Sequence, residues 1–154
     1  MDTSEIVLRL AAAALAGVLL GLNRDLRGKP TGVRTLGLVG LGSCIVVLAV
    51  SHGEANNVGR VVQGIVTGIG FLGAGVIMHN SSGKQVHGLT TAACVWLTAC
   101  IGAACAIGEW RVLLVGAPLI AVILIFGGPF EKWVHGRWPG KEQDTSGPDK
   151  FDDY

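Results

Sequence analysis

The sequence predicts an all-α membrane protein, a bundle of about five short, glycine-rich transmembrane helices followed by a disordered polar C-terminal tail. Of its 154 residues, 50% are hydrophobic and 15% are charged, and the mean hydropathy is +0.54. Such a composition leaves too little polar surface to cover a small soluble globule. Apolar runs also recur at lengths close to the roughly 20 residues that carry a helix across a bilayer.

Five apolar runs are candidate membrane spans, and most are near the short end of the range. They comprise residues 6–22, 36–52, 61–79, 89–107 and 112–127. Helices are favoured over a barrel because a helix satisfies its backbone groups within its own segment and because the alternating pattern of barrel strands is absent. The first run lacks a small-residue cleavage site, so we expect a retained helix.

The chain divides by composition near residue 130. Residues 1–130 form the predicted transmembrane domain, and residues 131–154 form a polar cytoplasmic tail that is too rich in Asp, Gly and Pro to bury a core. Trp133 and Trp138 suit the membrane interface, where aromatic rings are enriched.

The distribution of Lys and Arg predicts the orientation of the chain in its membrane. Nine of them lie in alternate connections and the tail, and Arg9, Arg60 and Arg111 lie on the other side. Because positive charges are held on the cytoplasmic side, we expect the N-terminus outside and the C-terminus in the cytoplasm.

Several classes of function are disfavoured by the residues themselves. A net charge of +1 lacks the basic footprint of a nucleic-acid-binding protein. The four cysteines lie in apolar runs without ligand spacing to histidine, and no nucleophile–base pair is visible. A Gly-x-Gly-x-x-Gly pattern at residues 68–73 lies inside an apolar span, without the strand that a dinucleotide site needs. We therefore expect no catalytic residues, no metal site and no cofactor. We also expect that the protein is not an enzyme.

Glycines predict close helix packing, because small residues let backbones approach where lipid removes the hydrophobic drive. At 100° per residue, two faces of the third span are stripped of side chains, which predicts a helix held between two neighbours. The candidate packing residues are Gly17, Gly21, Gly64, Gly68, Gly70, Gly73 and Gly75.

The fourth span carries a neutral polar stripe. Its members are Thr90, Thr91, Cys94, Thr98 and Cys105. Hydroxyl and thiol groups on one helix face either form hydrogen bonds across a helix interface or line a narrow wet path, and both interpretations stay open.

A polar cluster at the predicted cytosolic ends of the spans is the candidate functional site. It comprises Asn23, Arg24, Asp25, Arg34, Thr35 and His87. Arg24 continues the Gly17/Gly21 helix face, so its guanidinium is expected to turn toward the bundle. The loop is either a simple positive-inside connection or a site in which Arg24 and Arg34 meet Asp25 or an anionic group. Arg9 and Gln63 are expected to face protein, with outward snorkelling of Arg9 to the membrane surface as the alternative.

The chain resembles the transmembrane domain of the MgtC/SapB family. The similarity rests on Gly21-Leu-Asn-Arg24-Asp-Leu-Arg-Gly28, Gly32-Val-Arg34-Thr35, Leu38-Val39, Gln63, Gly68-Ile-Gly-Phe-Leu-Gly-Ala-Gly75-Val-Ile-Met78, Val86-His-Gly88-Leu-Thr-Thr-Ala-Ala93 and Trp96. It implies a bacterial inner-membrane protein linked to magnesium limitation, survival in hosts and, in some members, restraint of the F-type ATP synthase through membrane contact.

Departures from the family pattern occur at Asn23, where an acidic residue is usual, and at His87, where a basic residue is usual. If the acidic and basic residues at these two positions form an ion pair in other members, we expect both to be replaced together, as they are in this sequence. The folded cytosolic C-terminal domain of some members is not expected in so short and polar a tail.

Two functions follow as hypotheses. The first is a regulatory or stress-adaptation protein that acts by helix–helix contact with itself or with a larger membrane complex. The alternative is a small transporter or channel for Mg²⁺ or another ion. The hydrocarbon portions of the spans hold no Asp or Glu to bind a hard cation, and only Asp25 lies at an edge, although backbone carbonyls of an oligomer could substitute.

Overall fold

The computed structural model describes residues 1–51, 55–79 and 86–137. Within them lie five helices and one short two-stranded ladder. The helices are α1 (Thr3–Asp25), α2 (Val33–Val50), α3 (Ala55–Val76), α4 (Leu89–Ile107) and α5 (Trp110–Arg137), and the strands are β1 (Met78–His79) and β2 (Val86–His87). Each helix is long and apolar enough to cross a membrane. The predicted all-α bundle of five transmembrane helices is confirmed.

The chain forms two compact units, Met1–Leu114 and Val115–Tyr154. In the second unit the described residues belong to α5, which contains Pro118 and Pro129 and continues as a helix through residues 131–137. The helix therefore passes the compositional boundary at residue 130. Residues 138–154 lie outside the described residues, so the disorder of the tail stays a prediction.

Helices α1 and α2 approach each other through glycines of α1. A Cβ built on Gly17 would lie 2.9 Å from the Cα of Gly37, and one built on Gly21 would lie 2.6 Å from the backbone nitrogen of Val33. Real Cβ atoms are not found so close to a neighbouring backbone. The predicted packing role of both glycines agrees with these contacts.

Helix α2 also lies against α4, through a glycine pair that the sequence reading missed. A Cβ on Gly102 would lie 3.1 Å from the Cα of Gly40, and a Cβ on Gly40 would lie 2.8 Å from the carbonyl oxygen of Ala13. Gly40 thus lies where α1, α2 and α4 meet. In the sequence, the small-xxx-small spacing of Gly102 and Ala106 is the pattern that could have predicted this close contact of α4.

The core between these three helices consists of small and medium side chains. Its buried residues are Ala13, Cys44, Val47, Leu48, Ala103, Cys105 and Ala106. In lipid, tails are as apolar as the core, so van der Waals contact between closely packed helices is what holds such a core together.

Helix α3 is not held between two neighbours along its glycine faces, contrary to the prediction. A Cβ on Gly73 would touch the Cβ of Ala92 in α4 at 3.4 Å, whereas one on Gly64, Gly68, Gly70 or Gly75 would meet nothing within 4 Å. A helical wheel shows which residues share a face, but it does not show whether a neighbour within the chain covers that face.

The third span ends earlier than its hydropathy predicted. Helix α3 ends at Val76, and β1 pairs antiparallel with β2, with Met78 opposite His87 and His79 opposite Val86. Gly88 then adopts φ +97° at the start of α4, and a Cβ built on it would overlap the backbone of Val76. Apolar length alone does not distinguish the last helical residues from a short strand.

We expect Gly102→Ala to lower the free energy of unfolding by about 1–3 kcal/mol, because the new methyl group meets backbone that cannot move aside. Gly42→Ala is the matched control, since a Cβ there meets nothing within 4 Å. Denaturant unfolding in detergent micelles, followed by circular dichroism, measures both. Equal stability of the two variants would contradict the close contact of α2 with α4.

Candidate functional site

Arg24 lies in the last turn of α1 and is buried, with 4% of its surface exposed. It lies on the same helix face as Gly17 and Gly21, and this face packs against the neighbouring helices. The expectation that its guanidinium turns toward the bundle is confirmed.

The guanidinium of Arg24 binds three neutral groups. Its Nε and Nη2 donate to the carbonyl oxygen of Pro30 at 3.0 and 2.9 Å, Nη1 donates to Sγ of Cys94 at 3.5 Å, and Nη2 also donates to Oγ1 of Thr91. One side chain of α1 therefore joins the loop after α1 to the first two turns of α4. We call Arg24, Pro30, Thr91 and Cys94 the arginine lock.

The loop is folded so that a backbone carbonyl reaches Arg24. Lys29 donates its N–H to the carbonyl of Arg24 at 3.0 Å, and Gly28 has φ +61°. Thr31 has φ +59°, which is uncommon for any residue other than glycine. This turn brings the Pro30 carbonyl back over the end of α1.

Asp25 stabilises the start of α2. Its Oδ2 accepts a hydrogen bond from the N–H of Val33 at 3.0 Å, and a Cβ on Gly32 would overlap the carboxylate. A carboxylate at a helix N-terminus satisfies a free donor and interacts favourably with the helix dipole. Among the described residues neither Arg24 nor Arg34 forms an ion pair with Asp25, because the carboxylate is turned toward this N–H. The alternative that these arginines meet an anionic group stays a prediction.

The remaining members of the predicted cluster are not gathered around Arg24. Arg34 and Thr35 are exposed in the first turn of α2, and Asn23 is half-buried in α1. His87 lies in β2, and its side chain is outside the described part of the structure. Of the predicted cluster, the structure thus brings only Arg24 into contact with groups from the loop and α4, and a functional role of the cluster stays a prediction.

The polar stripe of α4 lies mostly inside the bundle. Thr91, Cys94, Thr98 and Cys105 are buried, whereas Thr90 is exposed. Thr98 donates to the carbonyl of Cys94 at 2.7 Å, and Thr91 and Cys94 accept from Arg24. These contacts agree with the interpretation of the stripe as a hydrogen-bonding helix interface.

A second arginine of α1 binds the opposite end of α4. Arg9 donates to the carbonyl oxygen of Ala106 and forms an ion pair with Glu5, one turn earlier in α1. Gly108, with φ +85°, ends α4 beside this guanidinium. A cation is favourable at a helix C-terminus, where carbonyls are unsatisfied. Arg9 faces protein, as expected.

The arrangement is suited to holding helices and not to coordinating a metal. Every group that Arg24 contacts is a neutral acceptor. Among residues 1–51, 55–79 and 86–137, no three His, Cys, Asp or Glu side chains are grouped so that they could hold a metal ion.

Five helices are long and apolar enough to cross a membrane, and this defines the class of a multi-pass α-helical membrane protein. Among them α1, α2 and α4 pack through glycines, and two arginines of α1 bind α4. A family model described as the MgtC family matches residues 10–133. The chain belongs to the MgtC family.

Curated relatives agree with this membership. The chain is 42% identical over 128 residues to Protein SrpB of Synechococcus elongatus, covering 75% of this chain and 70% of the relative. It is 41% identical over 114 residues to Protein MgtC of Salmonella typhimurium, covering 74% of this chain and 48% of the relative. It is 36% identical over 131 residues to the Putative magnesium transporter YhiD of Escherichia coli, covering 79% and 60% respectively. The chain thus spans about half the length of MgtC. No solved structure matches the chain.

We expect Thr91→Val to lower the free energy of unfolding by about 1–3 kcal/mol, because it removes an acceptor from a buried guanidinium while keeping the side-chain shape. Thr90→Val is the matched control, because the neighbouring hydroxyl is exposed. Unfolding in micelles measures both changes. If the two variants lose the same stability, the contact of Thr91 with Arg24 contributes nothing.

Proposed function

We propose that this protein is a regulatory, stress-adaptation protein of the bacterial inner membrane, linked to magnesium limitation and host survival, which acts by helix–helix contact. The family membership supports the class of function, and one surface of α3 supports the mode of action. The proposal includes the orientation with the N-terminus outside and the C-terminus in the cytoplasm.

The surface that carries the proposal is an outer stripe on α3, formed by Gln63, Thr67, Gly70 and Ala74. At 100° per residue these four positions fall within about 60° of one another. All four are exposed, and a Cβ on Gly70 would meet nothing within 4 Å. Only 6% of the α3 span is buried, against 50% of the α4 span. Helix α3 is therefore free to contact another helix.

Gln63 is the residue of this stripe that most requires a partner. It lies within the candidate span Asn56–Val76, about one helical turn beyond the exposed Arg60. The expectation that Gln63 faces protein is not met within the chain, where its side chain points outward. An amide in the hydrocarbon region lacks water to bind, so a polar group of another helix is its natural partner.

Small residues beside this amide favour a protein helix as that partner. Gly70 and Ala74 allow close backbone approach, and Thr67 adds a hydroxyl on the same face. The partner is a second copy of the chain or a larger membrane complex, for which the F-type ATP synthase is the candidate that the family resemblance implies. Neither form of action requires catalysis, and we propose that the protein is not an enzyme.

The alternative is transport of Mg²⁺ or another ion, and it rests on the name of one relative, the putative magnesium transporter YhiD. Oxygen ligands from carboxylates or carbonyls would be needed for such a cation. In the described spans the buried polar and charged residues are Arg24, Ser43, Thr91 and Thr98, and the charged one is cationic. This arrangement favours regulation over cation transport.

We expect Gln63→Leu and Gly70→Leu to abolish function in a strain that lacks its own MgtC-family protein and grows at low Mg²⁺, because both remove the outer stripe without touching the core. Ala11→Leu is the control, since it adds similar bulk to an exposed position of α1. Growth rate is the readout, with protein level and thermal stability measured in parallel.

The same variants locate the partner. Energy transfer between two labelled copies in vesicles reports self-association, and co-purification with the F-type ATP synthase reports the complex. Loss of either signal in Gln63→Leu and Gly70→Leu, but not in Ala11→Leu, identifies the contact. Full growth with both stripe variants would eliminate the outer stripe as the functional surface.

We expect purified protein in sealed vesicles to give no Mg²⁺ flux above that of empty vesicles, because the buried polar positions offer a cation no carboxylate. A divalent-sensitive dye inside the vesicles measures flux under an imposed gradient, with Asp25→Asn as the comparison. Flux that Asp25→Asn removes would establish the transporter instead.

A further inference from the structure

An open groove of about 680 Å³ runs between α2 and α3. Its walls include Leu38, Val46, Ile65 and Leu72, and Gly68 leaves room beside them. Arg34 and Thr35 lie at the end where α2 begins. Apart from Ser43, the groove is apolar between its ends, and it is basic at one end.

The length of the groove matches one leaflet of a membrane. On α2 the lining extends from Arg34 to Val46, and the rise of the helix between these two residues is about 18 Å. Half of a hydrocarbon core of roughly 30 Å is about 15 Å. An acyl chain that enters from the Arg34 end therefore has apolar walls for its whole depth in that leaflet.

Arg34 supplies the charge that selects the occupant. It is exposed, and among the residues that the structure describes it forms no ion pair and no side-chain hydrogen bond, unlike Arg24 and Arg9. A planar guanidinium binds a phosphate through two parallel N–H donors. The hydroxyl of Thr35 lies beside it on the same end of the groove.

The geometry points to a binding site for an anionic phospholipid, with the head-group phosphate at Arg34 and Thr35 and one acyl chain in the groove between α2 and α3. Helices α2 and α3 contact each other directly, so the groove is a furrow between neighbours. An acyl chain that carries a phosphate head group matches both the apolar lining and the basic end of this furrow.

This site is separate from the outer stripe. Ile65, Gly68 and Leu72 face α2, while Gln63 and Gly70 lie on the other side of α3. Lipid in the groove and a partner helix on the outer stripe can therefore be present together, and the two proposals can fail independently.

The test uses the full chain purified in a neutral detergent. Phosphatidylglycerol or phosphatidylcholine is added, retained lipid per chain is measured by native mass spectrometry, and apparent affinity is measured by the thermal shift. Arg34→Gln is compared with Lys29→Gln, an equal charge change at an exposed position outside the groove. Gly68→Leu, which fills the groove, is compared with Gly70→Leu, which does not line it.

We expect wild type to retain phosphatidylglycerol in preference to phosphatidylcholine, and Arg34→Gln to weaken that binding roughly tenfold. Gly68→Leu should reduce retention of the lipid, while Lys29→Gln and Gly70→Leu should match wild type. Circular dichroism confirms that each variant is folded.

Three results would overturn the proposal. If both lipids are retained equally, the charge of Arg34 does not select the lipid. If inorganic phosphate alone produces the thermal shift, binding does not require an acyl chain in the groove. Loss of a dimer in Arg34→Gln and Gly68→Leu, without a change in bound lipid, would make a second copy the occupant.

Discussion

A buried guanidinium is the constraint on which this bundle depends. Arg24 is buried inside the protein at the end of α1, out of contact with water, so its donors must be satisfied by protein groups. They are satisfied by the Pro30 carbonyl, Thr91 and Cys94, which ties the end of α1 to the loop and to the start of α4. Arg9, about 22 Å away along α1, binds the carbonyl at the end of α4. Helix α1 thus forms hydrogen bonds with both ends of α4.

These contacts depend on close helix packing. Gly17 and Gly21 bring α1 against α2, and Gly40 with Gly102 brings α2 against α4. Without these approaches the three backbones would stand further apart, and the Arg24 side chain would not span the distance to α4 while also reaching the loop. Glycine packing and the arginine lock therefore support each other, and neither is explained by hydrophobic burial, which offers little drive between helices in lipid.

Much of this architecture was predictable, and what was missed has a physical cause. The five spans and the inward turn of Arg24 followed from apolar length and from the helix face shared with Gly17 and Gly21. The role of Asp25 did not, because a capping contact with Val33 depends on how the loop folds. The open faces of α3 were also missed, since periodicity gives the relative direction of Gly64 and Gly73 but not which neighbour lies there.

The same constraint explains why α3 carries the surfaces available to other molecules. The polar contacts of α1 and α4 are made within the bundle, so those helices have few unsatisfied groups to offer. Helix α3 packs on α4 near Gly73, yet it keeps Gln63 on one side and borders a groove that ends at Arg34 on the other. An amide without a partner favours a helix, and a free cation beside an apolar furrow favours an anionic lipid. Because α1, α2 and α4 make their close contacts with one another, the less buried α3 can present both surfaces.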